Sequence, residues 1–256
     1  MAGVYPFAAA IFRFYEQVAG FQRELYAQVL SASNGQVEKR NNGSLREKLD
    51  VFVLLPRFPA FLSLIQQVGP AMLARLANEL LEQGSDRWIN LLTAFWTEDR
   101  CDESLAENPG LFFPRAFLQP YAEYLAHRNE YSSTGATPRV CPRCGGRPQV
   151  GVLRQEGDGA KRSLICSLCL TEWAYRRIVC PACEEESVDK LAIYTASQFK
   201  HIRVEACDSC KTYINTVDLT KDGLAIPEVD EYASVPLDLW AAENGYTKLV
   251  PNLLGF

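Results

Sequence analysis

Three observations predict an α+β protein: an all-helical amino-terminal domain, then two tandem rubredoxin-like or zinc-ribbon β modules and a carboxy-terminal helix. Apolar residues recur at helical spacing up to about residue 131, and eight of the nine cysteines follow as four C-x-x-C pairs. Between those pairs lie short runs rich in β-branched and aromatic residues. The boundaries implied are a helical domain over 1–131, a first four-cysteine ribbon over 139–178, and a second ribbon with the final helix over 179–256.

The helical half is read from period and punctuation. Phe7, Ile11, Phe14, Val18, Phe21, Leu25 and Val29 recur every three or four residues, which places them on one buried helix face. Ser44 followed by Glu47 has the form of a capping box before "LDVFVLL", and Pro56 and Pro59 turn the continuation. Pro70 suits the first turn of "AMLARLANELLEQ", Gly84 closes that helix, and Ser85 caps the next. A last helix over residues 114–131 bends at Pro120. The ordinary use of such stripes is core packing. "SSTGATP", residues 132–138, is a turn-rich linker.

The cysteine pairs are Cys141/Cys144, Cys166/Cys169, Cys180/Cys183 and Cys207/Cys210, separated by gaps of 21, 10 and 23 residues. The strand-like runs are "PQVGVLR", "EWAYRRIV", "KLAIYT", "HIRVEA" and "TYINTVDL", and "DEYASVPLDLWAAENG" reads as a helix ended by Gly245. Four knuckles combine pairwise in three ways, and an internal repeat favours one of them. "CPRC" recurs as "CPAC" 39 residues on, and "CSLCLTEW" recurs more weakly as "CDSCKTY" 41 residues on. The repeat groups Cys141, Cys144, Cys166 and Cys169 at one site and Cys180, Cys183, Cys207 and Cys210 at another. The rival grouping joins the two middle knuckles and ignores the repeat.

The spacing has a chemical reason. A C-x-x-C turn aims two sulfurs at one point, and a tetrahedral ion with bonds of about 2.3 Å needs sulfurs roughly 3.8 Å apart. Pro142 and Pro181 pre-set one backbone angle of each leading knuckle, and Gly145 and Gly146 allow a positive φ on leaving the first. Glu184 and Glu185 stand where the second copy would have those glycines, which predicts a more strained or looser knuckle there. Soft thiolates suit zinc and iron alike, so two four-thiolate ions are expected and the spacing does not separate the metals.

Composition bounds the function. A net charge of -5 gives no global field for a phosphate backbone, so nucleic acid is not favoured as a partner. The rival reading, a zinc-ribbon nucleic-acid-binding regulator, would use Arg143, Arg147, Arg154, Lys161, Arg162, Arg176 and Arg177 as its basic face. The amino-terminal stretch lacks a basic leader, and no later run is expected to reach the roughly 18 uncharged apolar residues of a membrane span. The cytoplasm is the expected compartment, where cysteines serve as ligands or working thiols rather than as disulfides. Eight cysteines in two closed sites leave no open coordination position for hydrolysis, so no catalytic constellation is expected. A thiol or iron redox protein is the other alternative. Cys101 reads as a buried thiol, and His201 as an ordinary strand residue beside complete cysteine sets. The sequence is compatible with an oligomer and does not require one.

The ordered series "CPRCGGRP", "CSLCLTEW" through "RRIVCPAC", "VEACDSCKTYI", "YASVPLDLWAAENGY" and "PNLLGF" resembles the formate dehydrogenase accessory protein family, FdhE. The likeness covers roughly residues 139–256, and "FFPRAFLQPYAEYLA" is the most family-like part of the helical half. The resemblance implies a chaperone-like, cytoplasmic maturation factor that binds the catalytic subunit of formate dehydrogenase. It also implies rubredoxin-like sites, held by the eight paired cysteines, with iron as the metal. The Glu184–Glu185 step departs from the family's glycine-bearing knuckle.

Overall fold

The computed structural model describes residues 9–32, 45–98, 108–128, 137–253 and 255. These divide into two compact units, one up to Arg128 and one spanning 137–253. Cys101, Phe7, Ser44 and most of the 132–138 linker lie outside the described residues.

The first unit is all helical: α1 (Ala9–Ala32), α2 (Val51–Leu54), α3 (Phe58–Val68), α4 (Ala71–Gln83), α5 (Ser85–Glu98) and α6 (Phe112–Arg128), with short 3-10 turns between some of them. Phe14, Val18, Phe21, Leu25 and Val29 form the buried stripe of α1, as their spacing requires. They meet an aromatic cluster in which Phe21 lies 5.1 Å from Phe61, and Phe58 lies 4.8 Å from Phe117 in an edge-on pair. The helix expected to start at Ser44 starts later. Leu45–Lys48 is a 3-10 turn, and the α2 cap is Asp50, whose carboxylate accepts from the Phe52 and Val53 N–H groups.

By length and mean hydropathy Val51–Val68 is apolar enough to cross a membrane, although Arg57 keeps it from being an uncharged run. In the structure Leu55–Arg57 interrupts it as a 3-10 turn, and Phe58, Phe61, Leu62 and Ile65 are core residues.

Helix α6 contains Pro120, which has no N–H for the carbonyl of Ala116 four residues earlier. The side chain of Gln22 on α1 takes up that carbonyl, donating to it at 2.7 Å and also to Gln119 at 2.9 Å. A helix-breaking residue is thus tolerated because a neighbouring helix satisfies the group it frees.

The second unit is a mixed sheet of β1 (Pro148–Glu156), β2 (Gly159–Cys166), β3 (Glu172–Ala174), β4 (Leu191–Thr195), β5 (Ile202–Cys207), β6 (Thr212–Asp218) and β7 (Thr247–Lys248). The order is β3-β2-β1-β6-β5-β4, with β7 beside β6. Each repeat contributes an antiparallel set, and the two sets join where β1 and β6 pair in parallel. Gly151 sits at that seam, where a β-carbon would lie 2.3 Å from Thr216 Oγ1. The ribbons therefore share one continuous sheet. "EWAYRRIV" is strand only over Glu172–Ala174, and the strand β2 was not among the strand-like runs read from the sequence.

The last helical stretch is two helices, α7 (Pro227–Ala233) and α8 (Val235–Glu243), which cover one face of β6. Under them lies a buried polar cluster. Lys248 pairs with Glu231 and, at 3.1 Å, with Asp238, which also accepts from Tyr213 (2.9 Å) and Asn215 (2.7 Å). Asn252 and Gln149 complete Glu231. Burial pushes the Glu231 carboxyl and the Tyr213 hydroxyl up. Burial works against the Lys248 ammonium too, yet Glu231 and then Asp238 outweigh it and hold it above its ordinary value.

Candidate metal centres

The four knuckles come together in the two groups that the repeat indicates. Cys141, Cys144, Cys166 and Cys169 form one, and Cys180, Cys183, Cys207 and Cys210 the other, with all sulfurs in a group within 4.8 Å of one another. In the first, Cys141 and Cys169 are 3.5 Å apart and Cys144 and Cys166 3.3 Å. In the second, both the Cys180–Cys210 and the Cys183–Cys207 separations are 3.7 Å. These are contacts of unbonded sulfurs, close to the roughly 3.8 Å edge of a thiolate tetrahedron.

Local backbone geometry explains how each pair converges. The N–H of Gly145 donates to the Cys141 carbonyl, Glu184 to Cys180 and Lys211 to Cys207, closing the same one-turn loop at 2.8–2.9 Å. The residue after the second cysteine is left-handed in all four knuckles: Gly145 (φ 75°), Leu170 (54°), Glu184 (63°) and Lys211 (57°). Only the first is glycine. Each side-chain-bearing residue there costs on the order of 1–2 kcal/mol, a strain that persists only where the surroundings fix the turn. The strain expected at Glu184 is present, and it recurs at Leu170 and Lys211, which sequence reasoning missed.

Backbone N–H groups also point at sulfur. Arg143 donates to Cys141 Sγ at 3.5 Å, while Gly146, Leu168 and Ala182 donate at 3.4 Å to Cys144, Cys166 and Cys180. Such donors favour the thiolate form. Hydrogen bonds from Cys141 and then Cys144 and Cys166 hold Cys169 well down, whereas burial pushes Cys166 well up. Four buried thiolates in contact need a cation among them, and the donor set fits a soft tetrahedral ion, zinc or iron. The two groups differ in access. Every sulfur-bearing residue of the first is buried, while in the second Cys183 is exposed and Cys210 half-buried.

The remaining candidates take other roles. His201 lies just before β5 and bonds Asp230 at 2.9 Å, and His127 bonds the Tyr26 hydroxyl at 3.0 Å, so neither joins a cysteine group. The basic face is largely neutralised. Arg154 forks onto Glu172, Lys161 pairs with Glu156 and Arg176 with Glu186. Arg162 is buried, and its guanidinium meets Glu205 at 2.5 Å, the carbonyls of Arg176 and Val179 at 3.0 and 3.2 Å, and the Tyr175 ring at 5.3 Å. This internal role had no signal in the sequence, where Arg162 is one charge in a basic run. Beside the second cysteine group, Arg162 and Glu205 line a cavity of about 170 Å³, together with Cys180, Cys207, Leu191 and Ile214.

Residues 140–177 match the family model described as the FdhE central domain, and 178–254 the FdhE C-terminal domain. A protein FdhE homolog of Aquifex aeolicus is 29% identical over 98% of this chain and 90% of its own length. A homolog of Pseudomonas aeruginosa is 40% identical over 45% of this chain, and that alignment spans 39% of the relative. The crystal structure of the FdhE protein from Pseudomonas aeruginosa superposes with a TM-score of 0.66 at 25% identity, covering 93% of this chain and 85% of that one. Residues 140–254 thus carry the likeness to the FdhE central and C-terminal domains, and the two cysteine quartets, each able to hold a metal ion, lie within them.

Proposed function

We propose that the chain is a cytoplasmic accessory protein for the maturation of formate dehydrogenase and acts by binding that enzyme's catalytic subunit. The observation that carries this reading is a pair of complete cysteine quartets, in a chain with FdhE relatives, with all four thiols of each directed at one centre. A metal in such a set has no vacant position for substrate, so its contribution is to clamp the knuckles and shape a recognition surface. Cys141, Cys144, Cys166 and Cys169 would hold one ion, and Cys180, Cys183, Cys207 and Cys210 the other. When bound, each ion neutralises thiolate charge and cross-links two knuckles. Residues 139–178 and 179–256 then act as two ribbon modules of one binding unit, with no catalytic step of their own.

The family resemblance favours iron, and the chemistry of the ligands accepts zinc. Elemental analysis of protein purified without chelator or oxygen is expected to give two ions per chain. The functional test is co-purification of the tagged chain from cells producing the dehydrogenase, paired with enzyme activity in a deletion strain. Recovery of the catalytic subunit and loss of activity without the chain are expected; no recovery with unchanged activity would overturn the proposal. A nucleic-acid reader would instead show affinity that falls steeply with salt. The pairing of Arg154, Lys161 and Arg176 with carboxylates speaks against that alternative.

A further inference from the structure

Strand β4 lies at the end of the sheet order and pairs only with β5 among the described residues. Its sequence, Leu191-Ala192-Ile193-Tyr194-Thr195, has no charge, proline or register shift, the devices by which proteins blunt an exposed edge. The Asp208 N–H donates to the Lys190 carbonyl at 2.8 Å, which sets the antiparallel alternation. Ala192 and Tyr194 therefore bond β5, while the backbone groups of Ile193 and Thr195 face the open edge and the Leu191 N–H donates to the Val188 carbonyl.

The same two alternate side chains, Leu191 and Ile193, line the cavity beside the second cysteine group. Its rim carries three exposed aliphatic residues: Ile178 (54% exposed), Val188 (67%) and Ile193 (56%). Exposed apolar side chains gathered around a cavity mark a binding surface. Charge then selects the occupant. The buried Arg162 is neutralised by Glu205. Arg177 at the cavity is exposed and has no carboxylate partner among the described residues, its guanidinium reaching only the Ala160 carbonyl at 3.4 Å.

We propose that β4 and this cavity form a docking groove for an extended peptide segment of a partner protein, added as a further strand, with an aliphatic side chain in the cavity and a carboxylate on the same face to meet Arg177. Main-chain bonds to the edge supply affinity, and the cavity with Arg177 supplies selectivity, since alternate residues of a strand face one side. The docked side chain rests against Cys180 and Cys207, so the second cysteine group forms part of the wall. This inference rests on the reading of the chain as a binding protein and names where and what it binds.

The test uses the metal-loaded full chain and two capped heptapeptides of alternating threonine, with leucine at the centre and aspartate or lysine two residues on. Titration followed by amide and methyl NMR is expected to show saturable shifts at Leu191, Ile193 and Thr195 and at the methyls of Ile178 and Val188. The aspartate peptide should bind more tightly. Ile193→Lys should weaken it by about tenfold or more, and Arg177→Glu should reverse the preference between the two peptides. Shifts located elsewhere, no discrimination by charge, or a dimer through β4 that Ile193→Lys dissociates would overturn the groove. Undiminished capture of the dehydrogenase subunit by Ile193→Lys would also overturn it while leaving the functional proposal standing. Peptide binding at β4 without any subunit capture would support the groove and defeat only the choice of client.

Discussion

Arg162 of β2 and Glu205 of β5 form a buried ion pair at 2.5 Å although β1 and β6 lie between their strands. The arginine belongs to the first ribbon and the glutamate to the second, so the pair ties the repeats together on the cavity side of the sheet. Glu205→Gln leaves the buried guanidinium without its counter-charge and is expected to destabilise the fold by about 3–5 kcal/mol, as for other broken buried pairs. Urea denaturation at neutral pH measures this.

That pair also predicts a pH dependence. Burial works against the charged form of Glu205, but Arg162 and then Arg203 outweigh it and hold the carboxyl below its ordinary value of 4.5. A depressed carboxylate contributes stability that is complete above that ordinary value and is lost as pH falls through the lower, folded one. The stability difference between wild type and Glu205→Gln should therefore stay constant above pH 4.5 and shrink below it. Comparing the two chains under identical metal conditions separates this effect from protonation of the cysteines.

Access to the two quartets is unequal, and chelation should reveal it. With Cys183 exposed and Cys210 half-buried, a chromophoric chelator is expected to empty the second site first, in a faster phase of one ion per chain. Mass spectrometry after brief alkylation of the depleted protein should find Cys183 modified before any cysteine of the first group. Equal rates at both sites would contradict the difference in burial.

The left-handed residues give a paired prediction. Glu184→Gly removes the β-carbon penalty at φ 63° and should stabilise the second knuckle by up to about 1 kcal/mol, because the gain is offset by a freer unfolded chain. Gly145→Ala should cost about 1–2 kcal/mol at φ 75°, and because a β-carbon there meets nothing within 4 Å, the cost comes from the backbone alone. Melting temperatures of the metal-loaded proteins check both signs.

Gln22 and Pro120 should behave as a coupled pair. Gln22→Ala strips the Ala116 carbonyl of its donor and is expected to cost about 1–3 kcal/mol. In a Pro120→Ala background the helix regains its own N–H for that carbonyl, so the same change should cost less. A double-mutant cycle reads the difference.

What the sequence made legible was local or repeated. Helix α1 shows in its periodicity, and the cysteine grouping in the offset between "CPRC" and "CPAC", since both depend on neighbours a few residues apart or on duplication. The long-range features had no such signature. The parallel pairing of β1 with β6 joins residues 65 positions apart, and neither run differs in composition from an ordinary hairpin strand. Asp230, Glu231, Asp238 and Lys248 carry no sign of burial in the sequence, yet all four side chains are buried because each finds a partner on another element. Leu170 and Lys211 carry no conformational warning of their own. Their left-handed backbone is imposed by the turn that brings two sulfurs to one centre.

The seam between β1 and β6 has a consequence for how such a chain can be cut. The family-model boundary falls at residues 177 and 178, but severing the chain there would strip β1 and β6 of each other and expose two raw edges. Either fragment would keep its four cysteines and still invite aggregation or strand exchange with a second copy. The transplantable piece is the duplex, and a shorter graft would bring the metal ligands without the scaffold that keeps them apart from other chains.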